Sequence, residues 1–203
     1  MRCPRSFFRR DPVTVARHLL GQRLVHVVDG RRRAGTILET EAYLGHDDQA
    51  AHTYQSRRTA RTQTMFEDGG TAYVYLNYGI HHMLNIVVDR VDQPQAVLIR
   101  AAEPTEGLDA MRADRPKAKS NRDLCSGPGK LGAAFAIQRH HDGTDLVESP
   151  TLFIEQTQPK ALDPRHIVAC PRIGVDYAGP WAAKPLRFVI RGHPGVSVKP
   201  PAS

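Results

Sequence analysis

The 203-residue chain holds only three cysteines, Cys3, Cys125 and Cys170, and no C-x-x-C pair. That excludes a disulfide framework and disfavours zinc fingers, zinc ribbons and thioredoxin-like redox sites. A reducing cytoplasm is the expected compartment. No apolar run approaches the ~20 residues that span a bilayer. Met1-Arg2-Cys3-Pro4-Arg5-Ser6 leads into no apolar signal core, so no membrane association and no secretion is expected. Repeats, low-complexity tracts and linkers are missing too, and the glycines and prolines are scattered as turn punctuation. A chain of this length then predicts one domain over residues 1–203. There is no H-E-x-x-H string, no calcium loop and no H-x-E…P-C-x-x-C signature, so His46, Asp47, Asp48 and His52 are not read as metal ligands. His81 and His82 point to opposite faces of a strand and could not chelate together.

What is present in excess is positive charge. Lys plus Arg number 28 against 21 Asp plus Glu, a net charge of +7. A basic domain is a candidate partner for a polyanion, although charge alone fits a merely basic protein equally well.

Local signals predict an α+β domain on a mostly antiparallel, curved sheet with flanking helices. Asp11-Pro12 is a helix start, with Val13 to Leu20 helical and Gly21 as the stop. Arg23 to Val28 and Ala34 to Leu44 read as strands joined through Asp29-Gly30. Tyr73 to Leu76 and His82 to Val88 read as a second pair, reversing at Asn77-Tyr78-Gly79-Ile80. A fifth strand is expected over Ala96 to Ala101. Helices are expected from Glu106 to Arg112, capped by Thr105, and from Pro128 to about Ala136. Short strands follow at Thr151 to Glu155, Arg172 to Val175 and Leu186 to Ile190.

One glycine motif is a decoy. Gly127-Pro128-Gly129-Lys130-Leu131-Gly132 matches G-x-G-x-x-G, but no strand precedes it, and Leu131 stands where a phosphate-binding loop needs Ser or Thr. What survives is a glycine-rich helix start at which Lys130 could hold one backbone phosphate, or a plain turn before a helix.

Two constellations carry chemistry. Alternation places Ile37, Glu39, Glu41 and Tyr43 on one strand face. If that face is buried the carboxylates need a partner, for which Arg100 is suited; otherwise they are solvated acids on an edge. In the second hairpin Thr71, Tyr73, Tyr75 and Asn77 share a face, with Met83, Asn85 and Val87 on the return strand. An aromatic face beside an amide could sandwich a nucleobase. Tyr78 at the turn has little core to enter; it either inserts into a base stack or folds back onto its hairpin. Arg57, Arg58 and Arg61 precede this hairpin, placed for phosphate contact or solvated.

Taken together these strings resemble the alkyladenine (3-methyladenine) DNA glycosylase family of mammalian type. The strings are Glu39-Thr40-Glu41-Ala42-Tyr43-Leu44-Gly45, Ala50-Ala51-His52, Tyr73-Val74-Tyr75 with Tyr78-Gly79, and Asn85-Ile86. Leu98-Ile99-Arg100-Ala101, Leu124-Cys125-Ser126-Gly127-Pro128, Arg172-Ile173-Gly174-Val175 and Lys184-Pro185-Leu186-Arg187-Phe188 extend the match over nearly the whole chain. The resemblance implies a fold like the C-terminal domain of formyltransferases, with a protruding hairpin that inserts into DNA. It implies a monofunctional base-excision-repair enzyme that flips alkylated or deaminated purines from duplex DNA and hydrolyses the N-glycosidic bond. By position Glu41 is the expected general base, with Arg100 and the Ile173 carbonyl as companions holding the water. Tyr43, His52 and Tyr75 match the base pocket, the main chain near Ala50 and His52 the reader of the base edge, Asn85 the residue disfavouring guanine, and Tyr78 the intercalating tyrosine. The resemblance implies no cofactor and no metal, and a compact bacterial form lacking a long N-terminal arm, working in the cytoplasm at the nucleoid; a monomer is the default expectation. Thr59-Ala60-Arg61-Thr62 and His81-His82 depart from the family pattern. Two other readings compete: a non-catalytic nucleic-acid-binding module of formyltransferase C-terminal-domain type, and a metal-dependent nuclease using Glu39, Glu41 and Asp47.

Overall fold

A computed structural model describes residues 1–158 and 160–201. After one helical turn, α1 (Arg5–Phe8), helix α2 (Pro12–Leu19) begins where Asp11 accepts the Thr14 N–H at 2.9 Å and Pro12 supplies a preset φ. Strands β1 (Arg23–Val28) and β2 (Arg31–Tyr43) form the expected hairpin. Its two-residue turn has φ of 49° at Asp29 and 73° at Gly30, the left-handed pair that matches strand twist. Strands β3 (Ala72–Asn77) and β4 (His81–Val88) form the second hairpin. There Tyr78 as well as Gly79 takes positive φ.

Strand β5 (Gln95–Glu106) is longer than expected. Pairing of Pro104 and Glu106 with β2 draws Thr105 into the ladder, so Thr105 caps nothing. Gly107, at φ 74°, turns the chain, and helix α3 (Leu108–Asp114) starts two residues later than its sequence suggests. Helices α4 (Asn121–Leu124) and α5 (Pro128–Ala134) follow. The remaining strands are β6 (Leu152–Glu155), β7 (Ile167–Cys170) and β8 (Arg187–Ile190). The strand expected at Arg172 to Val175 does not form. Pro171 removes a ladder donor, and Arg172 is drawn away to Asp48; β7 pairs with β8 instead.

Every pairing is antiparallel, in one curled sheet of order β3-β4-β5-β2-β1-β6, with β8 hydrogen-bonded to β2 and β7. The helices are few and flank this sheet, giving a single-domain α+β fold. One face packs on α2 and α5: Leu19, Leu24, Ile37, Ala42, Ile99, Leu131 and Phe135 belong to one buried cluster.

The shared face expected for Ile37 and Glu39 is a correction. Register shifts at Ile37/Glu39 and Glu39/Thr40 mark a bulge in β2. Ile37 therefore enters the core beside Ala42, while Glu39, Glu41 and Tyr43 face the other way.

The G-x-G-x-x-G string has a packing explanation. A Cβ at Gly132 would lie 2.2 Å from the His82 carbonyl oxygen, and one at Gly129 would lie 2.8 Å from the His81 ring. The glycines let α5 lie directly against the start of β4, next to the hairpin turn, so the departure at His81-His82 sits at a helix contact. Among the described residues no helix is long and apolar enough to cross a membrane.

Candidate active site

Strand β2 delivers Glu41 and Tyr43, β5 delivers Arg100, and the irregular segment after β7 delivers Ile173, all to one point. Both carboxylates of β2 are fully buried, which removes the solvated-edge alternative. Glu41 Oε1 accepts the Ile173 N–H at 2.8 Å and lies 3.3 Å from the Arg100 guanidinium, while Oε2 accepts the Tyr43 hydroxyl at 2.9 Å. All three neighbours are donors, so the carboxylate acts only as an acceptor. Ile173 meets Glu41 through its N–H, which leaves its carbonyl free of Glu41. Burial opposes the charge on Arg100, but Glu41 and Glu39 outweigh it and hold its pKa above the ordinary arginine value. Burial first, then the Glu41 charge, pushes the Tyr43 phenol well above its usual range, so it stays a donor.

Above this group opens a cavity of about 310 Å³. Its wall includes Tyr43, Ala50, His52, Tyr73, Tyr75, Asn85, Arg100 and Ile173, and its mouth is edged by Tyr78 and Tyr177. The β3–β4 hairpin explains why three of these converge. Period-two alternation puts Tyr73 and Tyr75 on the same face, and antiparallel register sets Asn85 opposite Tyr73. The Asn85 amide donates to the Tyr73 carbonyl at 3.2 Å. The His52 ring stands edge-on to Tyr75, centroids 4.6 Å apart, with Nδ1 2.9 Å from the Tyr73 hydroxyl. Burial, then the charge of Arg61, lowers the His52 pKa to about 4, so the ring is neutral at pH 7. Tyr78, at the hairpin tip, is 87% exposed.

A family profile described as methylpurine-DNA glycosylase matches residues 6–194. The chain belongs to that family. Related proteins from Methanocella arvoryzae and Bacillus cereus, each named "Putative 3-methyladenine DNA glycosylase", are both 46% identical to it. The alignments cover 98% of this chain in both cases, with 96% of the first protein and 100% of the second. A Bacillus anthracis protein of the same name is 45% identical over 207 residues.

None of the basic residues expected at the DNA backbone lines the cavity. Arg57 is exposed. Arg58 reaches Asp92 at 3.2 Å and Gln63 at 2.9 Å, and Lys130 pairs with Asp123. Arg61 sits over the Tyr75 ring, 5.0 Å from its centroid. Thr62, at the departure from the family pattern, closes its own loop by accepting the Thr59 N–H at 2.9 Å and donating to the Arg57 carbonyl at 3.1 Å.

Two features escaped sequence reasoning. Tyr177 donates its hydroxyl to the Ala50 carbonyl at 3.2 Å, from a segment with no periodicity to announce it. Asp48 is a buried partner for Arg172, at 2.8 Å, and also accepts the Leu44 and Ala50 N–H groups at 3.0 Å each. The Arg172 guanidinium in turn lies 4.7 Å from the Tyr43 centroid. This pair ties the Leu44–Ala50 turn to the Ile173 segment. The only sequence signal for it is the family string that begins at Arg172.

Proposed function

We propose that this protein is a monofunctional DNA glycosylase of base-excision repair. It everts an alkylated or deaminated purine, 3-methyladenine foremost, from duplex DNA and hydrolyses the N-glycosidic bond, leaving an abasic site. The observation that carries this reading is the Glu41 carboxylate, fully buried and tied to Arg100, Tyr43 and Ile173, which all line a tyrosine-walled cavity. A buried carboxylate costs several kcal/mol unless its surroundings compensate. A module that only bound nucleic acid, such as one of formyltransferase C-terminal-domain type, has no use for one beneath a base-sized cavity. A metal-dependent nuclease finds no support: Glu39 and Glu41 already have arginine partners, and Asp47 points to solvent.

In the proposed reaction Tyr43, His52 and Tyr75 clasp the everted base, and electron-rich rings favour a base made cationic by alkylation. Main chain near Ala50 and His52 reads the base edge, and Asn85 disfavours a purine bearing a 2-amino group. Tyr78 fills the gap left in the duplex. The C1′–N bond breaks with its electron pair leaving on the base, and the sugar becomes oxocarbenium-like. Water, held by Arg100 and the Ile173 carbonyl, bonds to C1′ as Glu41 takes its proton. The same carboxylate stabilises the positive sugar. No lysine lines the cavity, so hydrolysis rather than a Schiff-base lyase step is expected. The enzyme acts as a monomer without a cofactor, with Arg57, Arg58 and Lys130 at the phosphates.

The test is Glu41→Gln in a single-turnover assay of free-base release with EDTA present. The variant should still bind lesion DNA and lose at least about 100-fold in rate. Unchanged turnover would remove Glu41 from this role.

A further inference from the structure

Tyr75 has two sides. It lines the cavity, yet Arg61 does not; Arg61 belongs to a neighbouring groove that shares only His52 and Tyr177 with the cavity. The Arg61 guanidinium carbon stands 5.0 Å from the Tyr75 ring centroid. A cation therefore sits over the Tyr75 ring without lining the cavity that the base would enter. Arg58 nearby is paired with Asp92, whereas among the described residues no carboxylate forms an ion pair with Arg61. Its field reaches the cavity wall: after burial, Arg61 is the foremost influence on His52, Tyr73 and Tyr75, opposing protonation of the first and favouring ionisation of the other two.

Resting on the glycosylase reading, we propose that Arg61 is a specificity-determining residue that shifts the enzyme toward neutral modified purines, such as deaminated ones, at the expense of cationic methylated ones. A ring already occupied by a cation on one face attracts a second cation less well on the other. A base stacked on the inner face would lie about 8–9 Å from the guanidinium. At an effective dielectric of roughly 20 to 40, like charges at that range disfavour each other by about five- to thirtyfold. Solvent at the exposed Arg61 puts the effect at the lower end.

Bond breaking sharpens the contrast. A cationic lesion accepts the glycosidic electron pair and departs neutral, moving its charge to the sugar. A neutral lesion departs with developing negative charge, which Arg61 stabilises across the ring. The cation thus weakens capture of the first class and assists departure of the second.

The experiment compares wild type, Arg61→Leu and Arg61→Lys on duplexes carrying either hypoxanthine or 3-methyladenine. Free-base release is measured under single turnover with enzyme in excess but below saturation. Arg61→Leu should lower the hypoxanthine to 3-methyladenine rate ratio by about fivefold or more, and Arg61→Lys, which keeps the charge, should retain most of the wild-type ratio. Both rates come from one preparation, so a misfolded fraction cancels. If Arg61 serves only a backbone phosphate, its loss slows both lesions alike; an unchanged ratio would overturn the proposal. Failure of the wild type to release either base is a different result, which would overturn the glycosylase reading and this inference together.

Discussion

Replacing Arg172 by Met should strike both stability and the site, and the structure sets the scale. The Arg172 and Asp48 side chains are both completely buried. The guanidinium makes two bonds to the carboxylate, one of 2.8 Å, and a third of 3.0 Å to the Ala42 carbonyl. Methionine fills much of the same volume but leaves Asp48 with only the Leu44 and Ala50 N–H groups. An uncompensated buried charge of this kind costs about 3–5 kcal/mol. For a protein of this size that is roughly 6–20 °C in Tm. Urea denaturation followed by circular dichroism measures it, with the slope checked for constancy. The double variant Asp48→Asn/Arg172→Met removes the stranded charge and should recover about half of the loss. A single-variant loss under about 1 kcal/mol, or a double variant no better than Arg172→Met, would refute the reasoning.

Tyr78→Ala should change stability by less than about 0.5 kcal/mol, since the ring is 87% exposed. It should nonetheless depress eversion of an ethenoadenine probe read by fluorescence; equal eversion would count against the wedge. Gly132→Ala forces a Cβ to within 2.2 Å of the His82 carbonyl. Backbone cannot yield as a side-chain tip can, so a loss of at least about 2 kcal/mol is expected in the same denaturation assay; a neutral substitution would show that α5 does not brace the hairpin. His52 supplies a pH test. Its folded pKa of about 4 lies below the ordinary histidine value near 6.5. The unfolded chain therefore binds the proton first. The stabilising contribution is complete above about pH 6.5 and is lost as pH falls toward 4, by at most about 3 kcal/mol. His52→Gln should flatten that part of the stability profile, and a profile parallel to wild type would refute the assignment.

Local rules made much of the fold legible. The Asp11-Pro12 cap, the Asp29-Gly30 turn and the alternation of Tyr73 and Tyr75 depend on neighbours in sequence, and each appears where its residues indicate. The misreadings share a cause: partners distant in the chain. Thr105 looks like a helix cap until β2 pairs with the residues around it. Arg172 to Val175 looks like a strand until Asp48, 124 positions away, takes the Arg172 side chain. Ile37 changes face because β2 bulges where β5 and β8 flank it. At the site, alternation put Glu39, Glu41 and Tyr43 together, but it could not decide whether that face was wet or dry. That depended on Arg187 and Ser197, which arrive from the far end of the chain.

The same distant residues separate the two carboxylates that spacing alone leaves equivalent. Glu39 Oε1 accepts from Arg100 at 2.9 Å, Arg187 at 3.0 Å and the Ser197 hydroxyl at 2.8 Å, and Oε2 accepts the Ser197 N–H at 2.7 Å. With both oxygens engaged and two arginines alongside, Glu39 is a structural tie between β2, β5, β8 and the C-terminal segment. Glu41 shares only the far nitrogen of Arg100, at 3.3 Å, and takes its other bonds from the cavity-lining Tyr43 and Ile173. Two carboxylates balanced by two guanidinium groups keep the buried cluster neutral in total, which lowers the cost of burying any one of them. Removing the C-terminal tie would therefore return Glu39 to competition for Arg100. The cavity's chemistry then depends on a strap of residues around Ser197, which meets the cavity wall where the Arg100 guanidinium donates to the Ser197 hydroxyl at 3.4 Å.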